Sequence, residues 1–128
     1  MSLIFDAGAL SAMAGHRARL QELQRRELWP PRVPSVVLTE ALTGDHRRDF
    51  QVNRLLRACR VDPVDEVQAR YAARLRTATG RAGTISAVDA VVAAAADLTP
   101  GGVVLTSDPD DLRALVAHAT HPIKIISV

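Results

Sequence analysis

Short apolar runs alternate with amphipathic stretches along the whole chain. Leu3-Ile4-Phe5 ends on Asp6, and small residues follow at once in Ala7-Gly8-Ala9 before Leu10. A run this short, feeding a helical pattern, reads as a buried parallel strand. The same signal returns at Arg32-Val33-Pro34, at Cys59 to Asp62, at Val103 to Thr106 and at Pro122 to Val128, the last placed at an edge. Helical patterns fill the intervals. Ala9 to Ala14 is closed by Gly15, and His16 to Leu28 is ended by Trp29-Pro30-Pro31. Val36 to Thr43 has Ser35 as its N-cap and Gly44 as its stop. Asp45 to Ala58 is expected to turn Phe50, Leu55 and Leu56 inward and Arg47, Arg48, Arg54 and Arg57 outward. Val64 to Thr79 is a long helix ending at Gly80, and Arg81 to Ile85 is a loop. Ser86 caps a helix so rich in alanine and valine that it must be buried, and Thr99 to Gly102 is a turn. Leu112 to Ala117 is the last helix. Strands alternating with helices predict an α/β fold with a mainly parallel sheet of four to five strands.

Composition narrows the class. The 128 residues are 48% hydrophobic and 23% charged, enough for one ordinary domain, 1–128, with a real core. A lone cysteine excludes an internal disulfide and a cysteine metal site, and Cys59 is expected to be a small buried apolar residue. The four histidines, His16, His46, His118 and His121, show no ligand spacing and are assigned to the surface. No basic region precedes an apolar core at the N-terminus, so no signal peptide is expected and a cytoplasmic setting fits. Ala90 to Ala96, the longest apolar stretch, is far too short to span a membrane.

Net charge is only +2, but its distribution matters. Asp6 stands at the carboxyl end of the first strand, the edge where open α/β sheets bind ligands. Glu40 interrupts the apolar segment V-V-L-T-E-A-L, where a glutamate is costly unless paired or metal-bound. Asp89 lies in the first turn of the alanine-rich helix, and Asp108 follows the fourth strand with Asp111 close behind. Each acid alone has a structural explanation: Ser86-x-x-Asp89 resembles a capping box, and Asp108-x-x-Asp111 is a cap pattern. Four acids at one edge need more, because neighbouring carboxylates repel unless protonated or neutralised by a cation. Oxygen donors without cysteine or histidine select Mg²⁺ or Mn²⁺, ions suited to phosphoryl chemistry. With four of the 14 acids gathered there, the 16 basic residues, 15 of them arginine, dominate the rest of the surface. An acidic pocket in a basic surface suits a polyanionic substrate.

In order and context, I-F-D-A-G-A-L, V-V-L-T-E-A-L, I-S-A-V-D-A-V-V-A-A-A-A and V-V-L-T-S-D-P-D-D-L resemble a PIN-domain ribonuclease, and the size resembles a VapC-type toxin of a toxin–antitoxin pair. The resemblance spans the chain. It implies a three-layer α/β/α fold and a Mg²⁺- or Mn²⁺-dependent endoribonuclease that inhibits translation. It further implies a cognate VapB-type antitoxin and a homodimer. The family's catalytic, metal-holding acids fall on Asp6, Glu40, Asp89 and Asp108, with Asp111 the other candidate for the last position. The family's first motif usually has a serine or threonine after the aspartate, where this chain has Ala7 and Gly8. Thr106 and Ser107 are candidates to orient the acids, and an apolar groove beside the Leu20/Leu23 helix is a candidate seat for a helical antitoxin segment. Two other classes compete. A phosphoacceptor signalling domain would want paired acids after the first strand, and Asp6 stands alone. A non-catalytic PIN-like scaffold binding RNA or protein would not need all four acids.

Overall fold

A computed structural model describes residues 1–128, all of the chain. Five strands, β1 (Ser2–Phe5), β2 (Arg32–Pro34), β3 (Arg60–Asp62), β4 (Gly102–Thr106) and β5 (Lys124–Ser127), form one sheet in the order β3-β2-β1-β4-β5. Every pairing is parallel. The helices are α1 (Ala7–Met13), α2 (Arg17–Arg25), α3 (Leu38–Ala41), α4 (Phe50–Leu56), α5 (Glu66–Ala78), α6 (Ala87–Asp97) and α7 (Pro109–Val116). Helix α1 packs with α2, α3 and α4, and α6 packs with α5 and α7, giving three layers, α/β/α.

Strand burial follows position. β1 and β4 sit at the centre, and Leu3 to Phe5 and all of β4 are buried. Covered on both faces, they read as continuous apolar runs. β3 and β5 are the edges and stay largely open. Twenty-five buried apolar residues make one core, in which Phe5, Leu3, Ile4, Leu10 and Ile85 are among the largest fully buried side chains. Helix α6 is as buried as its composition requires, with seven of its 11 residues inaccessible. It crosses β4 so closely that a Cβ on Gly102 would lie 2.3 Å from the carbonyl oxygen of Ala96. The second glycine of the expected turn is therefore the first residue of a strand.

Elsewhere the local readings shift. Ser35 does not cap a helix: it opens a single 3-10 turn, Ser35–Val37, that runs directly into the four-residue α3, with no side-chain cap at either start. Asp45 does not open a helix either. Its Oδ1 accepts from the backbone N–H of Arg47 at 2.9 Å and Arg48 at 3.3 Å, a local turn that competes with helix. Helix α4 starts five residues later, so its inward face moves to Val52 and Leu55, and Phe50 is 56% exposed. Asp49, one residue before α4, is buried and closes this loop. Its carboxylate accepts from the N–H of Thr43 at 2.9 Å and of Gly44 at 2.8 Å, and from the Thr43 hydroxyl at 2.9 Å. Those bonds outweigh burial and hold its carboxyl below the usual range. Helix α2 ends before Leu28 because the chain turns at Glu27, which takes φ 58°. No helix is long and apolar enough to cross a membrane.

A candidate metal centre at the carboxyl edge

The sheet order places a topological switch at the centre. From β1 the chain winds outward through β2 and β3, then returns to the other side of β1 with β4 and β5. In such sheets the crevice at the carboxyl ends of the two central strands is where ligands bind. Asp6 follows β1 and Asp108 follows β4, one on each side of that crevice.

Asp6 is 4% exposed and fully bonded. One oxygen accepts from the N–H of Ala9 at 2.8 Å and so caps α1. The other accepts from the hydroxyl of Thr106 at the end of β4. The same hydroxyl oxygen accepts from the N–H of Asp108 at 2.8 Å. Thr106, itself inaccessible, thereby links the Asp6 carboxylate to the Asp108 backbone across the two central strands. Ser107 reaches the other way: a Cβ on Gly8 would lie 1.7 Å from its Oγ, so only glycine at residue 8 admits that hydroxyl against α1.

Asp89 enters from α6. Ser86 is the N-cap, accepting from the Asp89 N–H at 3.0 Å, which makes the backbone bond of the capping box. The carboxylate turns to its acidic neighbours. Asp89, Asp108 and Asp111 each offer an oxygen within 4.8 Å of the others. Burial pushes the Asp89 carboxyl up to about 6, and the charges of Asp108, Asp6 and Glu40 push the same way against a Ser86 hydroxyl contact. Asp108 is also raised, by burial and by the adjoining Asp111 carboxyl. Asp111 alone has a cationic partner, Arg81, whose Nη2 lies 2.8 Å from its Oδ1.

The five acids named from sequence thus divide into two groups. Asp89, Asp108 and Asp111 converge. Asp6 lies behind them in its cap, and Glu40 faces them from α3, near enough for its charge to raise Asp89. Glu40 is not on a buried face: it is exposed and makes no hydrogen bond. The helix is only four residues long, so its one turn shows the side chain to solvent. Of the two candidates for the last position both are present, Asp108 at the edge and Asp111 beside it. Arg81 was invisible to sequence reading, since a loop arginine carries no periodic signal.

Five carboxylates and one guanidinium leave a strong negative excess. The donors are all oxygen, and three of them are close enough to share one ion. This set fits a hard divalent cation such as Mg²⁺ or Mn²⁺ and offers nothing to a soft one.

The double role of Asp6 gives a first prediction. Asp6→Asn keeps an oxygen for the Ala9 N–H but sets an NH₂ against the Thr106 hydroxyl, which then has no acceptor. We expect a loss of roughly 1–2 kcal/mol in stability, partly offset by relief of repulsion. Chemical denaturation without metal measures it, and a stability equal to or above wild type would show that the Thr106 bond contributes no more than the repulsion it opposes.

The chain matches the family model "PIN domain" over residues 3–116. No curated protein is similar enough in sequence to count as a match. Solved structures share the fold. A chain in VapBC2 from Rickettsia felis, bound to a DNA fragment from its promoter, superposes with a TM-score of 0.73 at 14% identity, over 99% of this chain and 98% of that one. One in DNA-bound VapBC from Salmonella typhimurium gives 0.70 at 17%, over 99% and 98%. One in FitAcB from Neisseria gonorrhoeae gives 0.67 at 18%, over 97% and 96%. At these identities the likeness is one of fold. The family model, matched over residues 3–116 and so from β1 through α7, settles membership: this chain belongs to the PIN domain family.

Proposed function

We propose that this protein is a Mg²⁺- or Mn²⁺-dependent endoribonuclease and the toxin half of a VapC-type toxin–antitoxin pair, arresting growth by cutting RNA needed for translation. The observation that carries the reading is the convergence of Asp89, Asp108 and Asp111 at the switch point, with Asp6 and Glu40 around them and only Arg81 to neutralise them. A bound divalent cation supplies charge to stabilise a phosphodiester under attack and lowers the pKa of water. Asp89, Asp108 and Asp111 hold it in this reading. Asp6, locked by the Ala9 N–H and the Thr106 hydroxyl, ties the start of α1 to the end of β4, and Glu40 is the exposed acid whose charge reaches Asp89. No histidine, cysteine or lysine stands in the cluster to act as nucleophile, and in this reading water is the attacking group.

The names of the similar structures support a protein partner. VapBC and FitAcB are complexes of two proteins. Here a groove of about 460 Å³ opens between α2 and α4, lined by Leu20, Gln21, Trp29, Gln51, Arg54 and Leu55. Helix α2 buries no residue completely: Leu20, half-buried against the core, offers its remaining surface to this groove and to an amphipathic antitoxin helix laid in it, whereas Leu23 lines a separate pocket with Met13 and Leu105.

The purified protein is expected to cleave structured RNA in Mg²⁺ or Mn²⁺ and to stop on addition of a chelator. Gel analysis of the products reads this directly. Undiminished cleavage in excess chelator would overturn the mechanism.

A further inference from the structure

The three converging carboxylates repel one another, so something must hold them together before any cation arrives. Asp89 is carried by the start of α6 and Asp111 by the start of α7. Beyond the packing of α6 on α7, one ion pair ties the loop before α6 to α7. Arg81, in the loop that leads into α6, reaches Asp111 across 30 residues of sequence. It is the only basic group bonded to any of the five acids.

The backbone behind Arg81 is pinned. Its N–H donates to the Thr79 hydroxyl at 3.0 Å. Its carbonyl accepts from the N–H of Thr84 at 2.9 Å and of Ile85 at 3.0 Å. Ile85 is 1% exposed and anchors the loop in the core, and its own carbonyl accepts from Arg76 Nε at 2.7 Å. The guanidinium therefore projects from a fixed base. It engages one Asp111 oxygen, and the Asp111 carboxyl meets Asp108 on its other side. The Asp111 side chain is 18% exposed, against 48% for Arg81, so the ion pair is sheltered on its acidic side.

We propose that Arg81 is a positioning residue of this centre, holding the Asp111 carboxylate beside Asp89 and Asp108 as part of the donor set for a divalent cation. This rests on the reading of the cluster as a metal site. It goes further in assigning a role to a basic residue where plain electrostatics assigns the opposite one. A positive charge near a cation site weakens binding by repulsion. A positive charge that fixes a donor strengthens it, in the manner of the groups that orient metal ligands from behind.

The opposite signs make the test decisive. Mn²⁺ binding is measured by calorimetry for wild type, Arg81→Ala, Arg81→Lys, Asp111→Asn and the double variant Arg81→Ala/Asp111→Asn, with thermal melts to confirm folding. Arg81→Ala is expected to weaken Mn²⁺ binding by about tenfold or more. Arg81→Lys keeps one donor and the charge, and should recover part of the loss. In the Asp111→Asn background, Arg81→Ala should cause no further weakening, because its effect passes through Asp111. Unchanged or tighter binding by Arg81→Ala overturns the positioning role; if Asp89→Asn abolishes binding in the same assay, the metal centre itself stands. Absence of Mn²⁺ binding by the wild type overturns the centre and the role of Arg81 with it.

Discussion

Asp89→Asn is expected to lose RNA cleavage by about 10²–10³-fold while melting higher than the wild type in metal-free buffer at neutral pH. The first effect follows from replacing a charged donor with an amide that binds hard cations poorly. Several kcal/mol of lost charge stabilisation, at 1.36 kcal/mol per tenfold, gives that range. The second follows from the position of the side chain. Unlike Asp6, the Asp89 carboxylate caps nothing, and the cap bond at Ser86 uses its backbone N–H. Its partial burial, with the charges of Asp108, Asp6 and Glu40 acting the same way, raises it to about 6 from an ordinary 3.8. A raised carboxyl favours the folded state only while protonated. Its unfavourable contribution grows as pH climbs through the interval from about 4 to 6 and is complete above it. The amide removes that contribution, and a gain of about 1 kcal/mol is expected. Mg²⁺ should raise the melting temperature of the wild type and leave that of the variant nearly unmoved. Melting curves of both proteins with and without Mg²⁺, beside cleavage assays, give all four values. A destabilised variant that still cuts RNA would show that Asp89 is a structural acceptor.

At the other end of the same helix, Asp97→Asn is expected to cost roughly 3 kcal/mol, about 12 °C in melting temperature for a chain of this size, with no change in the chemistry of the acid cluster. Asp97 ends α6, where the helix dipole opposes a negative charge, and it is 4% exposed. It persists there because four donors converge on it. The N–H groups of Thr120 and His121 donate at 2.9 and 2.8 Å, the His121 ring nitrogen Nδ1 lies at 2.9 Å, and the Tyr71 hydroxyl completes the set. Burial pushes its carboxyl up, but these bonds, led by Tyr71, outweigh it and hold the group at about 2. A depressed carboxyl contributes its stability above the ordinary value of 3.8 and loses it as pH falls toward 2. The wild type should therefore lose stability steeply below pH 4, and Asp97→Asn should flatten that part of the profile. An amide offers one acceptor and an NH₂ that faces donors, so at least one buried donor goes unpaired. Denaturation curves from pH 2 to pH 7 test this, and parallel profiles for the two proteins would refute it. The site lies about 12 Å along the helix from Asp89, eight residues at 1.5 Å each, so residual activity below the melting point should match the wild type.

The contrast between these two aspartates shows what a sequence carries. Asp89 was legible because Ser86 marks a helix start and an apolar run follows, which fixes the end of the helix on which the acid sits. Asp97 carries no local signal after its four alanines, since its partners come from a helix 26 residues earlier and a loop 23 residues later. Arg81 failed to register for the same reason. Long-range pairs between loops and helix ends leave no periodic trace. The central strands β1 and β4, by contrast, were visible as apolar runs because both of their faces are covered. A helix running from Asp45 to Ala58 would turn Phe50 inward with Leu55 and Leu56, but an apolar pattern gives only the phase within a helix and not its first residue. The Asp45 and Asp49 side chains moved that start, and the face moved with it.

The pairing of β1 with β4 also has a consequence in time. Asp6 and Thr106 stand 100 residues apart, and the hydrogen bond between them joins the two halves of the acid cluster. At about 5–20 residues per second, a ribosome that has made Asp6 needs roughly 5–20 s more to make Thr106. Until then β1 has β2 on one side and nothing on the other, and Asp89, Asp108 and Asp111 have no common edge to gather on. A growing chain therefore lacks the assembled acid cluster until its last strands have emerged and paired.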